Sequence, residues 1–190
     1  MDKLLQIESI QGTDFVGLST AELTGVKRVL ADFVDRVIKD SQANLDKGGR
    51  YGQYNASFNL RQTIKPLPQD LPNGGYMIEI EMADYWKFLN EGVLGTKSGN
   101  KAQGSPFQYG KNAPIPTRAG IEKWIQAKGI VPEDGGSRKG LAYVIRRSII
   151  NTGTPRTLFF DKALPDSLIK ALTEDVAEAF GKSISISIKV

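Results

Sequence analysis

The feature that most constrains the fold is a helical apolar period in the first quarter of the chain. Leu23, Val26, Leu30, Phe33, Val34, Val37 and Ile38 recur at about 3.6 residues over more than four turns. Lys27, Arg28, Asp32, Asp35, Arg36 and Lys39 fall mostly on the other side. Ser19 with Glu22 three residues on makes a capping-box pattern, and Gly48-Gly49 supplies a stop. The spacing predicts a helix over 20–45 with one buried stripe and one wet stripe, and such a helix lies on something.

The period then changes to two. Phe58, Leu60, Gln62 and Ile64 alternate with Asn59, Arg61, Thr63 and Lys65, and Pro66 and Pro68 stop the expected strand. Turn chemistry follows at Asp70-Leu71-Pro72-Asn73-Gly74-Gly75. Tyr76, Ile78, Ile80 and Met82 then alternate with Met77, Glu79 and Glu81. The two runs read as an antiparallel pair with one face toward the first helix. Glu79 and Glu81 share the other face, where no second chemical partner is placed, so that face reads as solvated.

Ala83-Asp84-Tyr85-Trp86-Lys87-Phe88-Leu89-Asn90-Glu91-Gly92 is dense in aromatics and runs into a stretch of little periodicity, broken by Gly95, Gly99, Gly104 and Gly110. A long glycine-rich loop over 92–116 is expected, and a segment of that length is functional or disordered. Gly95-Thr96-Lys97-Ser98 lacks the glycine that a phosphate loop places before its lysine, and no strand–loop–helix context surrounds it. Helical spacing returns after Thr117 at Ile121, Trp124, Ile125 and Lys128, ending at Gly129. A further helix places Leu141, Val144, Ile145, Ser148 and Ile149 on one face, with Arg146 and Arg147 off it; Tyr143 also falls at core spacing. Asn151-Thr152-Gly153-Thr154-Pro155 ends it, and Leu158-Phe159-Phe160 forms an apolar knot. A last helix carries Leu164, Leu168, Ile169, Leu172, Val176, Ala179 and Phe180, closed by Gly181. The alternating 183–190 is a strand that needs a partner, in its own sheet or on a neighbouring subunit. With no repeat, low-complexity tract or long linker, residues 1–190 read as one α+β domain: a small antiparallel sheet packed against the long N-terminal helix and C-terminal helices.

The chain has neither histidine nor cysteine. That excludes a Ser-His-Asp triad, His- or thiolate-ligated zinc, a cysteine nucleophile and a disulfide scaffold. No paired carboxylates occur in a glycine-hinged loop, and Ser105 and Ser148 lack the context of an activated nucleophile. The expectation is a protein that is not an enzyme, without cofactor or metal. Net charge is +4 but segregated: residues 92–160 carry eleven Lys and Arg against Glu122, Glu133 and Asp134, a surplus of +8, leaving −4 elsewhere. Such segregation marks an anionic partner or an acidic neighbouring surface, or else a solvated basic face. Phe107, Tyr109, Trp124 and Tyr143 interleave these cations, as single-strand binders do. No helix-turn-helix, aromatic RNA-binding signature or zinc module is present. A basic nucleic-acid-binding module is therefore the alternative. No window approaches ~18 consecutive apolar residues, so no membrane contact is expected. The amino terminus, Met1-Asp2-Lys3-Leu4-Leu5-Gln6-Ile7-Glu8, does not read as a signal peptide, which points to synthesis in a cytoplasm.

Two segments carry a resemblance. Ala83-Asp84-Tyr85-Trp86-Lys87-Phe88-Leu89-Asn90-Glu91-Gly92, after a strand and before a glycine-rich loop, resembles the Tyr-Ala-x-x-Val-Glu-x-Gly signature of tailed-bacteriophage tail-completion proteins of the head–tail connector, or neck, group. Gly153-Thr154-Pro155-Arg156-Thr157-Leu158-Phe159-Phe160-Asp161-Lys162-Ala163-Leu164 is similar to their closing Pro-x-x-Phe-hydrophobic-x-x-Ala-Leu segment. Trp86-Lys87 stands where small residues are usual, and the insert between Glu91 and Pro155 is long. The resemblance implies a virion protein assembled as a homo-oligomeric ring, made in the host bacterial cytoplasm. Its partners would be copies of itself, the portal or adaptor, and tail-terminator or tail-tube proteins, with packaged double-stranded DNA passing through the lumen. It makes Tyr85, Glu91, Gly92, Pro155, Phe159, Phe160 and Leu164 the motif's packing residues. Lys97, Lys101, Lys111 and Arg118 become candidates for contact with the lumen or a neighbouring ring. The helix at 20–45 and the strand at 183–190 become candidate subunit contacts.

Overall fold

The apolar period is realised as helix α1 (Thr20–Lys47), which buries Val26, Leu30, Phe33, Val34, Val37, Ile38 and Leu45 along one stripe. Each such side chain contributes about 1.5–3 kcal/mol on leaving water. The computed structural model describes residues 2–8, 20–47, 59–71, 76–132, 135–180 and 187–189. The Ser19 cap, the Gly48-Gly49 stop, the turn glycines Gly74-Gly75 and the Gly181 stop lie outside them.

The elements run β1 (Asp2–Glu8), α1, α2 (Asn59–Thr63), β2 (Lys65–Asp70), β3 (Tyr76–Met82), α3 (Trp86–Glu91), α4 (Arg118–Ala127), α5 (Arg138–Thr152), α6 (Asp166–Phe180) and β4 (Ser187–Lys189). Short 3₁₀ turns sit at Asn100–Ala102 and Asp161–Ala163. The class is α+β, as expected. One antiparallel sheet has the order β2-β3-β1-β4. The described part of the C-terminal strand pairs with β1 of its own chain, Gln6 opposite Lys189 and Glu8 opposite Ser187.

Three expectations need correction. The strand expected over 58–64 is instead helix α2 followed by β2. Leu60 and Ile64 are buried while Gln62 is exposed, so the inward positions recur at four residues and not at two. Thr63 Oγ1 locks the turn by donating to Leu60 O (2.8 Å) and accepting from Ala83 N (3.2 Å). Pro66 and Pro68, expected to stop a strand, lie inside β2. That strand is at the sheet's edge, and the two prolines share parity, so both missing N–H groups fall on the side that has no neighbour. Glu79, expected on a solvated face, is 1% exposed. β3 is an interior strand flanked by Leu67 and Gln6 in register, and Gln69 Nε2 lies 3.5 Å from Glu79 Oε2.

The chain forms two compact units. The sheet unit takes the described residues of 1–45, 60–84 and 159–190; the loop unit takes those of 46–59 and 85–158. In the sheet unit, Ile78, Ile80 and Met82 of β3 are buried, as are Leu168, Leu172 and Val176 of α6 at four-residue spacing. Two α1 amides brace it: Gln42 Nε2 donates to Arg61 O (3.1 Å) and Asn44 Nδ2 to Phe159 O (2.9 Å). Phe159 and Phe160 are buried edge-to-face, their centroids 6.4 Å apart. No described helix is long and apolar enough to cross a membrane.

Candidate functional site

The loop unit is organised by a backbone crossing. Glu91 closes α3 and Gly92 follows it; Gly153 closes α5 and Thr154-Pro155-Arg156 follow that. Val93 N donates to Thr154 O (3.1 Å), and Thr154 N returns the bond to Val93 O (2.9 Å). Gly92 packs on the backbone of Thr154 to Arg156, and its carbonyl accepts from buried Ser105 Oγ (2.8 Å). The carbonyls at the end of α3 are satisfied across the crossing: Thr157 Oγ1 donates to Leu89 O (2.8 Å) and Leu158 N to Asn90 O (3.0 Å).

One ion pair locks the two strands of the crossing together. Arg156 Nη2 lies 2.6 Å from Glu91 Oε2, with side chains 33% and 24% exposed. Asn90 Nδ2 donates to the other Glu91 oxygen at 3.0 Å. Partial burial and a second donor fix the carboxylate in place, so this pair exceeds an open surface bridge.

The stretch 93–116 is irregular in backbone, as expected, but it is folded. Leu94 bridges Gln108, and Tyr109 bridges Ala113. Val93, Tyr109 and Ala113 are buried with Phe88, Phe107 and Ile149 packed against them, and the Phe88 and Phe107 rings meet edge-on at 4.8 Å. Burial raises the Tyr109 phenol above its ordinary value of 10.0, opposed by its hydrogen bond with the Thr154 side chain. The turn at Gly95-Thr96-Lys97-Ser98 caps the C-terminus of α5. Thr96 N donates to Ile150 O (2.8 Å), and Lys97 N and Ser98 N donate to Asn151 O (3.0 and 3.1 Å). It thus faces a helix end carrying partial negative charge, the opposite of a phosphate cradle.

Helices α4 and α5 carry the cations. Thr117 and Ser137 cap them, each hydroxyl accepting from the N–H three residues on (3.0 Å in both). They pack through Ile121, Ile125 and Ala142, with Trp124, Leu141, Ile145 and Ile149 alongside. Val144 and Ser148, expected on the buried face of α5, are exposed, and so is Tyr143. The buried stripe is centred on Ala142, one residue round from the expected one, and this turns Tyr143 and Val144 outward.

Lys97, Lys101 and Lys111 all present exposed side chains. Lys101 Nζ donates to Thr152 Oγ1 (2.8 Å) at the end of α5, where a cation complements the helix dipole. Arg118 lies 3.5 Å from Glu122 one turn along α4. Of the residues named for motif packing, Gly92, Phe159 and Phe160 are buried and Glu91 and Leu164 half-buried; Pro155 and Tyr85 are exposed, the Tyr85 hydroxyl accepting from Asn59 Nδ2 at 3.3 Å. Arg156 and Ser105, which hold the crossing, carry no signal by spacing. Opposite charges next to glycines at Glu91-Gly92 and at Gly153 to Arg156 were the one available hint.

Among the described residues no three His, Cys, Asp or Glu side chains form a group able to hold a metal ion. Charge follows the units: the loop unit has fourteen Lys and Arg against five Asp and Glu, the sheet unit eleven against sixteen. Comparison with protein-family models, with curated proteins and with solved structures finds no match to this chain.

Proposed function

We propose that the chain is a structural subunit of a tailed-phage neck, a tail-completion protein that joins head to tail as a ring. The observation that carries this reading is the meeting of its two family-like segments, far apart in sequence, at the backbone crossing. Glu91 pairs with Arg156 at 2.6 Å, and Val93 and Thr154 exchange both backbone hydrogen bonds. Motifs that share one physical joint are expected to persist as a pair. The lack of histidine and cysteine also favours work by shape and docking over turnover.

In this role the ring contacts portal or adaptor on one side and tail-terminator or tail-tube proteins on the other, while double-stranded DNA passes through. Lys97, Lys101 and Lys111 would face the lumen or an acidic neighbour, Lys97 in the turn that caps α5 and Lys101 held to Thr152 at the same helix end. Mass spectrometry and electron microscopy of purified particles test the assignment. The expected result is the chain at the head–tail junction, and its absence from particles sinks the reading.

A second reading, a basic nucleic-acid-binding module, is favoured by α5, which carries Arg138, Lys139, Arg146 and Arg147 and no acidic residue. A binder's log affinity falls steeply with log salt. A flat slope, or no loss when Lys97, Lys101 and Lys111 become alanine, rejects it.

A further inference from the structure

The large apolar side chains that are exposed among the described residues all belong to the loop unit: Tyr85, Ile115, Val131, Tyr143 and Val144. Two of them stand side by side on α5, Tyr143 at 52% and Val144 at 61%. Lys139, Tyr143 and Arg147 form an i, i+4, i+8 row on that helix, a ridge about 12 Å long at ~1.5 Å per residue. The ridge thus has an apolar centre and a cation at each end. Lys139 and Arg147 form no ion pair with a described residue. An aromatic centre rimmed by cations is the anatomy of a protein-docking face.

The sheet unit carries the complement. Between α1 and α6 runs an open groove of about 200 Å³. Val29, Phe33, Leu168, Ala171 and Leu172 give it an apolar lining, to which α1 adds Asp32 and α6 adds Asp175. The one cation in the lining, Arg36, lies 3.9 Å from Asp40 on its own helix. From Val29 to Arg36 the groove follows α1 for about 10 Å at ~1.5 Å per residue, close to the length of the ridge. Asp32 and Asp175 form no ion pair with a described residue either.

We infer that the α5 ridge of one copy docks into the α1–α6 groove of a second copy. Tyr143 and Val144 meet the apolar lining, while Lys139 and Arg147 pair with Asp32 and Asp175. Ridge and groove are different surfaces, so the contact is heterologous and the pair keeps one free ridge on one copy and one free groove on the other. The opposite charge balance of the two units favours this occupant over a third party. The inference rests on the reading of the chain as a self-assembling subunit and names the surfaces that assemble.

Sedimentation velocity on the full chain, in about 0.02 M and about 0.5 M salt, tests it. Two double variants divide the contact: Lys139→Glu with Arg147→Glu spoils the ridge, and Asp32→Lys with Asp175→Lys spoils the groove. Wild type is expected to self-associate, less so in high salt. Each variant alone should lose at least about tenfold in association through like-charge juxtaposition. An equimolar mixture of the two should associate again, starting with a heterodimer, because an intact ridge meets an intact groove and the reversed ridge meets a reversed groove of opposite charge. A wild-type chain that stays monomeric in low salt overturns the inference. So does a mixture that forms no heterodimer, or variants that associate like wild type. Particle composition separately decides the subunit reading, so the two can fail independently. Both reversal variants must melt like wild type; if one does not, the neutral Lys139→Gln/Arg147→Gln and Asp32→Asn/Asp175→Asn pairs carry the same expectation at smaller size.

Discussion

The two units solve the same problem by different means. The sheet unit is held by apolar burial: α1, α6 and β3 each present a stripe, and the buried apolar side chains recur at the helical or strand period. The loop unit has less regular structure and is held by close backbone contact. Its crossing depends on reciprocal hydrogen bonds, one ion pair, and glycines where no side chain fits. The first kind of structure tolerates substitution as long as volume is kept. The second is brittle, because a backbone oxygen has no alternative rotamer to take.

The largest effect should come from testing that brittleness. A Cβ on Gly95 would sit 2.2 Å from Asn151 O, and one on Gly153 would sit 2.3 Å from Val93 O at a φ of +81°. Gly95→Ala and Gly153→Ala should each cost upward of about 4 kcal/mol, in the exceptional range for point changes. Both tryptophans, Trp86 and Trp124, belong to the loop unit, whereas α1 and α6 hold the larger share of the described helical residues. Tryptophan fluorescence should therefore report the loss at lower denaturant than ellipticity at about 222 nm, a mark of non-two-state unfolding. Coincident transitions would mean that the units melt as one block.

The converse substitution is Ile80→Ala, at a fully buried position of β3. It should cost about 3 kcal/mol from lost transfer energy and the cavity left behind. Here the ellipticity transition should move and the fluorescence transition hold. Glu91→Gln comes next. It keeps the side-chain shape but leaves Arg156 without its anion, and because both groups are a quarter to a third exposed, the cost should be about 1–2 kcal/mol. The shift should appear in fluorescence alone and shrink in high salt. A Glu91→Leu/Arg156→Met double variant should recover much of it, since removing both charges leaves neither stranded.

What could be read from sequence follows the same division. α1 and α4 were legible because their burial is periodic and, for α4, because Thr117 is a good cap; β3 was legible because its apolar residues alternate, although Glu79 between them is buried too. β1 was not: its register shifts by one residue between Lys3 and Gln6, so Leu4-Leu5 interrupts the alternation that marks a strand. α2 was misread because Gln62 stood at the position a strand would bury. Tyr143 was misplaced by one residue of helical rotation, which Ala142 wins because a small side chain admits the close approach of α4. The crossing is a long-range contact between residues with no periodicity. Nothing in local spacing tells Glu91 that its partner is Arg156. The family resemblance picked out both segments, but only the fold brings them together.

The smallest effect isolates one buried group. Tyr109 lies in the apolar cluster beneath the crossing, where burial disfavours the phenolate and its hydrogen bond with the Thr154 side chain offsets this only in part. Its folded pKa is therefore above the ordinary 10.0, and the folded chain holds this proton more tightly than the unfolded chain. The resulting stability is fully present below the ordinary value and is lost as pH rises through the folded one. Tyr109→Phe should cost about 1 kcal/mol at neutral pH, for the lost hydrogen bond. It should also flatten the alkaline fall in fluorescence-detected stability and remove one tyrosinate step near 295 nm, lying above the ordinary phenol value. If the alkaline fall is unchanged in Tyr109→Phe, the cluster does not exclude water as its burial implies. The crossing would then rest on its backbone hydrogen bonds and ion pair, without support from the cluster beneath it.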